Sequence, residues 1–344
     1  SKVGETSDGM TPLRRRGKYT YSDENGNPLS NGSYSKAGPF INGIALVRIK
    51  KRGSSFYGYI NKSEEFVIPA KYRRAEQMDK NGFAIVTGKA GKGVVSSNGK
   101  TIVPARFKKV FIDDEVCIGA GRHKTYLYNM EGKKVKKIKG RNKNGISDGH
   151  IVIRRRNMYG TFNASGESLL PFDFKGLKDF ERGVAPCQDG KYINVINNQG
   201  DTISRFAGRS YQGFSDGLLL IKRGNRYLFV DRYGKNKFNK YFSDAEPFVN
   251  GLSIVKQNEK YGLINTQGEF LILPNYAILE TPKNGVCKVA QTNILGICDL
   301  NSNYLVAPEC SEITYLQNEG VFRYTHKNAY GYFTSAGELI WKVD

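Results

Sequence analysis

The sequence predicts an all-β protein built as a tandem array, and three observations carry that prediction. First, stretches of one design recur: YGYINKSEEFVIP ends at Pro69, KGVVSSNGKTIVP at Pro104, YGTFNASGESLLP at Pro171 and YGLINTQGEFLILP at Pro274. Second, units begin near Phe40, Met78, Phe111, Ile146, Phe180, Phe214, Phe248, Pro282 and Leu316, at spacings of 33 to 38 residues and mostly 34. A fixed period in this range marks solenoids and propellers. Third, turn residues fall roughly every 8 to 12 positions and no stretch of helical period is long enough to form a helix.

Within a unit the elements follow in a set order. An apolar residue and an Asn/Asp-Gly style turn open it, as in FING (40–43), FSDG (214–217), FVNG (248–251) and PKNG (282–285). Glycine takes a positive φ without a Cβ clash and suits such a turn. A short alternating run follows, such as IALVRI (44–49) or GLSIV (251–255), and period two is the mark of a half-buried strand. A charged loop leads to a second strand that opens on a Tyr-Gly pair. An Asn/Asp-x-x-Gly turn ends it, at Asn129–Gly132, Asn163–Gly166, Asn197–Gly200, Asp231–Gly234 and Asn265–Gly268; a hairpin loop with glycine at the left-handed position explains this spacing. The third strand, such as FLIL (270–273), runs into a proline, which cannot donate to a ladder. Each unit thus has three strands, with room for a short fourth. So small a unit lacks a core of its own and must bury its faces against its neighbours.

YTYSDENG (19–26) repeats the Tyr, Asp/Asn and Gly spacing of YGLINTQG (261–268), so a half-unit over 17–29 precedes the nine full ones. Residues 1–16 read as a flexible tether and 17–344 as one repeat domain. A closed propeller of about nine short blades is the expected form, because ring closure removes exposed edges. The alternative is an open, twisted β-repeat solenoid with the half-unit as a cap.

These features resemble the bacterial WG-repeat family, whose units have this length, an aromatic-Gly pair, an Asn/Asp-x-x-Gly turn and an apolar strand ending in proline. The carriers here are Tyr57-Gly58, Tyr159-Gly160, Tyr261-Gly262, Leu295-Gly296 and Tyr330-Gly331. The chain departs from the pattern in using Tyr where Trp is the namesake, its single tryptophan being Trp341. It also carries Tyr126, Asn194 and Leu228 at the glycine position of units three, five and six. The resemblance implies a propeller-like β-repeat architecture and an interaction role, and it brings no catalytic residues.

Composition narrows the chemistry. The net charge is +21, and it is uneven: residues 244–344 hold 7 Lys+Arg and 11 Asp+Glu, while residues 1–243 hold 46 and 21. A field of one sign steers acidic partners. No apolar run approaches the roughly 18 residues of a membrane helix. All five cysteines fall where sister units place apolar side chains, so buried reduced thiols are expected, with Cys287–Cys298 on adjacent strands the one candidate pair. No CxxC occurs and the three histidines are far apart, so no metal or cofactor is expected. GKAGKG (88–93) lacks the lysine-hydroxyl ending and the following helix of a phosphate loop. His123, His150 and His326 have no nucleophile motif beside them and read as solvated loop residues, and Asp113, Asp114 and Glu115 as a turn. The expectation is a protein that is not an enzyme.

One constellation stands above this background. The loops after the first strand are basic: RIKKRGSSF (48–56), GRHKT (121–125), RRRNMY (154–159) and KRGNRY (222–227), with a further run KKVKKIKGRNK at 133–143. Equivalent loops of an array project from one face. The candidate binding residues are therefore Lys50, Lys51, Arg52, Arg122, Lys124, Arg154, Arg155, Arg156, Lys222, Arg223 and Arg226, with Tyr57, Tyr159, Tyr227 and Tyr261 able to add stacking. A solvated face, an acidic docking partner and a nucleic acid are the three readings. The expectation is a binding scaffold that docks an acidic protein or an anionic glycan or lipid of the cell envelope, with a glycan- or nucleic-acid site at the repeat axis as the alternative. A polar, Gly/Ser-containing start suits an exported chain or lipoprotein, the cytoplasm being the alternative address.

Overall fold

The structure, a computed structural model, describes residues 2–4, 6–29, 32–210, 212–316, 321–326, 329–334 and 338–343. Within them every element is a β-strand, and the strands form ten antiparallel sheets of three or four strands each. The sheets follow one another in chain order, one per repeat unit plus one for the half-unit. Contacts gather the chain into two compact units, residues 1–174 and 175–344. The half-unit is larger than its sequence suggests. Thr11–Arg15, placed in a tether by the sequence, is the middle strand of a sheet that pairs with Lys18–Ser22. Met10 explains why, since it is buried against Tyr21, Tyr34 and Phe40.

Each sheet is a meander. In the first full unit the order is Lys36–Ile41, Ile44–Lys51, Ser54–Ile60 and Phe66–Tyr72. The short fourth strand lies before the opening turn. That turn is a two-residue hairpin loop with both residues at positive φ, as at Asn42-Gly43, Asp148-Gly149, Asp216-Gly217, Asn250-Gly251 and Asn284-Gly285. This is the geometry whose twist matches a β-hairpin, which is why Asn or Asp precedes Gly there. Successive turns are also tied together. Within the first compact unit the Gly43 N–H donates to Asp8 Oδ2 at 2.8 Å. Within the second, the Gly251 N–H donates to Asp216 Oδ2 at 2.7 Å.

The first strands were expected to be half-buried, and they are buried on both faces. Ile44, Ala45, Leu46 and Val47 are all buried, as are Cys117 through Ala120. The reason lies in the packing. Ala45, Val47 and Ile60 join Tyr21 and Phe40 on one side of their sheet, while Ile44, Leu46, Tyr59 and Ile68 join Met78, Val86 and Val95 on the other. An inner sheet such as this one is a slice between two apolar layers, so its central strands have no wet face. Buried tyrosines find backbone acceptors across the layer: Tyr59 donates to Glu76 O at 2.6 Å and Tyr21 to Gly38 O at 2.7 Å. Burial holds both phenols well above their ordinary range.

The Tyr-Gly pair has a local cause. A Cβ on Gly58 would lie 2.6 Å from Ile68 O and 2.7 Å from Ala70 N, and one on Gly262 would lie 2.7 Å from Ile272 O. Opposite each glycine the third strand bulges: Tyr57 pairs with Tyr72 and Tyr59 with Ile68, leaving three residues facing Gly58. The same shift recurs opposite Gly93, Gly262 and Gly296, always at the proline. Where the sequence has Tyr126 or Asn194 instead, the third strand has no proline and the ladder runs through without it: Tyr126 pairs with Lys137 and Asn194 with Arg205. Gly331, with no proline opposite, also sits in an unbroken stretch. Glycine and proline therefore act as one device, the glycine giving room for a bulge that the proline imposes.

A basic groove as the candidate functional site

The charged loops are shorter than the sequence suggests. Most of their residues belong to the strands, and the connections are tight hairpin tips. Lys50 and Lys51 end a strand that pairs through to Ser54, with Arg52 and Gly53 at positive φ between them. Arg154 and Arg155 likewise end the strand Ile151–Arg155, and Arg156 takes the positive-φ turn position. The tyrosines that close these hairpins are already occupied. Arg48 pairs across the strands with Tyr57, Arg154 with Tyr159, Lys222 with Tyr227 and Lys256 with Tyr261. In each pair the cation lies over the ring, at 5.9, 5.9, 4.8 and 5.3 Å from its centroid. Each of these rings therefore lies beside a cation of its own hairpin.

Within residues 1–174 the structure draws one part of the basic set together. An open groove of about 660 Å³ is lined by Arg122, His123, Lys124, Lys139, Gly140, Arg141, Arg154, Arg155 and Arg156. It has no carboxylate in its wall. Among the described residues no ion pair joins any of its seven Lys and Arg side chains. The strand register forces like charges to face each other. Lys124 is the direct cross-strand partner of Lys139, and Arg141 is bridged to Arg154 through both backbone hydrogen bonds, at 2.8 and 3.0 Å. Like charges directly opposite one another destabilise a sheet, so this arrangement opposes folding unless an anion offsets it.

The floor of the groove is rigid for identifiable reasons. Gly140, at φ +131°, lets the chain leave one sheet and enter the next; a Cβ there would sit 2.4 Å from Ile153 Cγ2. Beneath it the buried Thr125 hydroxyl donates to Gly140 O at 3.0 Å and accepts the Asn142 N–H at 3.0 Å. Asn142, itself buried, donates from Nδ2 to Gly145 O and Val152 O at 2.7 and 3.1 Å, and its Oδ1 accepts the Gly145 N–H. On the wall, Arg154 donates from Nε to Arg156 O at 2.9 Å and from Nη2 to Asn157 Oδ1 at 3.3 Å. The Arg155 guanidinium lies 4.1 Å from the centre of the Phe172 ring. That ring opens a second depression shared by Lys139, Arg155, Arg156 and Met158.

Five of the eleven residues singled out by sequence thus meet in one groove: Arg122, Lys124, Arg154, Arg155 and Arg156. Lys50, Lys51 and Arg52 stand at their own hairpin tip outside its lining. In the second compact unit, Lys222 donates to the Tyr227 hydroxyl at 3.3 Å and Arg223 to Ala207 O at 3.3 Å, with Arg226 across the turn from Arg223. Sequence reasoning missed Lys139, Arg141 and His123 as site residues. The first two sat in the basic run 133–143, and only the pairing of that strand with Lys124–Tyr128 shows which of its lysines face the site. The histidines divide. His123 is exposed in its connection, but His150, expected in solvent, is buried with Nδ1 3.0 Å from the Thr161 hydroxyl. The described cysteines are all free and buried, and Cys287 faces Cys298 across the strands without a bond. Burial pushes the thiols of Cys117 and Cys287 up to about 12 and those of Cys187 and Cys298 up to about 11.

The architecture defines an all-β repeat protein with one strand meander per unit. The sequence profile of the WG containing repeat matches residues 19–52, 57–92, 229–261 and 261–293. Those four stretches are WG-type repeats. The stretch between residues 92 and 229, which the profile passes over, contains the whole groove and the two units whose ladder runs unbroken past Tyr126 and Asn194. Among solved structures the chain is similar to a eukaryotic initiation factor, at 12% identity and a TM-score of 0.48, covering 86% of this chain and 95% of that one. It is also similar to BamB from Moraxella catarrhalis, at 17% identity, a TM-score of 0.32, and 67% and 80% coverage. Kluyveromyces lactis Hsv2p matches at 9% identity, a TM-score of 0.37, and 88% and 96% coverage. No curated protein matches the sequence. No helix of the described residues is long and apolar enough to cross a membrane.

Proposed function

We propose that the protein is a non-catalytic binding scaffold that docks a polyanionic partner, an acidic protein or an anionic component of the cell envelope, through the basic groove of residues 122–156. The observation that carries this reading is the groove of residues 122–156, where seven cations converge without a carboxylate. A purely solubilising surface intersperses both signs; here like charges are held face to face by backbone pairing. The rest of the chain supports the reading. Its thiols are buried and protonated, and its repeat turns serve to lock neighbouring sheets. Docking at a charged envelope surface is the address that suits such a groove.

The test is charge reversal of the hairpin wall. Arg154→Glu, Arg155→Glu and Arg156→Glu together should abolish retention on immobilised polyglutamate and on vesicles containing phosphatidylglycerol, while the wild-type chain binds one of them and is released by salt. Equal retention of the variant on both surfaces would overturn the proposal.

A further inference from the structure

We infer that the groove is a phosphate site: it takes a compact ligand bearing two or more phosphoryl groups close together. This rests on the polyanion-docking reading and narrows it to one chemistry. Charge density is the first argument. Seven cations line a space of about 660 Å³, and filling it with neutralising charge asks much of a peptide, which brings one carboxylate per residue. A phosphate monoester brings roughly −1.5 to −2 charges and three strong acceptor oxygens.

Geometry is the second argument. The cations come in facing pairs, Lys124 opposite Lys139 and Arg141 opposite Arg154. A phosphoryl group between two facing cations accepts from both at once, and it brings three strong acceptor oxygens and up to two charges where a carboxylate brings two oxygens and one charge. Arg141 and Arg154 are fixed by their backbone bridge, and Arg154 is further pinned by Arg156 O and Asn157. Arg155 is held over Phe172. The Arg154 and Arg155 side chains are thus pre-positioned, so less ordering is lost at these two on binding. The floor held by Thr125 and Asn142 keeps the two pairs adjacent.

Calorimetric titration of the full chain with inorganic tripolyphosphate, and separately with hexaglutamate, tests the inference. Saturable binding of tripolyphosphate at least tenfold tighter than hexaglutamate is expected. Lys124→Gln with Lys139→Gln should weaken it at least tenfold while leaving the melting temperature equal or higher, because the facing like charges are gone. Lys50→Gln with Lys51→Gln should leave it within twofold. Tighter binding of hexaglutamate, lost on the Arg154–Arg156 charge reversal, would overturn the phosphate assignment and leave the docking proposal standing. No saturable binding of either anion would overturn both. A single-stranded 20-mer oligonucleotide that binds tenfold tighter than tripolyphosphate, and is weakened by Lys50→Gln with Lys51→Gln, would overturn it in favour of an extended nucleic-acid track.

Discussion

At the residue scale, the glycine of each Tyr-Gly pair is a packing requirement. Gly262→Val drives its side chain into Ile272 O and the Pro274 backbone. It should cost about 3 kcal/mol, the order of an overpacked core, visible as a lowered melting temperature with the strand content retained; an unchanged melting temperature would contradict the account. The cysteines make a second case. Their folded-state pKa values lie above those of the unfolded chain, so the folded state holds more protons above about pH 9. Stability is therefore complete below that pH and falls as pH rises through about 11 to 12, reinforced by Tyr21 and Tyr59. Chemical unfolding followed from pH 7 to 11 should show the decline, and native thiols should resist a disulfide reagent at pH 8. Fast labelling of all five in the folded chain would sink this reading. Such positions were legible in sequence because each answers to a steric or burial demand repeated in sister units. His150 was misread although its register was available: it follows the Asp148-Gly149 turn where sister units place the buried Ile44, Val184, Leu218 and Val286, and its polar ring hid that equivalence.

At the scale of elements, the second turn of most described units is held by the Asn or Asp side chain that opens it. Asn163 Oδ1 accepts the Glu167 N–H at 2.8 Å and the Ser165 hydroxyl at 2.7 Å, while its Nδ2 donates to Glu167 Oε2 at 2.8 Å. Asn265, Asp231 and Asp299 repeat the pattern toward the backbone. Asn163→Ala should cost about 1 to 2 kcal/mol in equilibrium denaturation, and Asn163→Asp, which keeps the acceptor, much less; equal losses would contradict the role given to Oδ1. The order of strands within a unit could be read from these turns. Two things could not. Burial of the first strands on both faces depends on sheet-to-sheet stacking, which a single unit's alternation does not report. The basic set was read as loops because the tight turns at Arg52-Gly53 and Arg156 leave almost no loop, and the lysine facing Lys124 is fixed by register alone.

At the scale of the whole molecule, charge and repeat pattern diverge together. The family profile matches repeats on both sides of residues 93–228, and within that unmatched stretch Lys and Arg crowd one groove without a counter-charge. Exposed charges more than a Debye length apart, about 8 Å at physiological salt, are screened from one another. A ligand therefore responds to the local cluster and not to the +21 total. Binding should accordingly weaken steeply between 50 and 200 mM salt for the wild-type chain. The slope should flatten once Lys124 and Lys139 are neutral, as expected when released counterions carry the affinity; an identical slope in both would place the contact elsewhere.

The most direct measurement is a lysine footprint: acetylation of the native chain, read site by site by mass spectrometry, with and without inorganic tripolyphosphate. The account predicts that Lys124 and Lys139 are protected together while Lys50 and Lys51 are modified as before. Protection spread evenly over the surface lysines, or confined to positions outside the 122–156 groove, would contradict it.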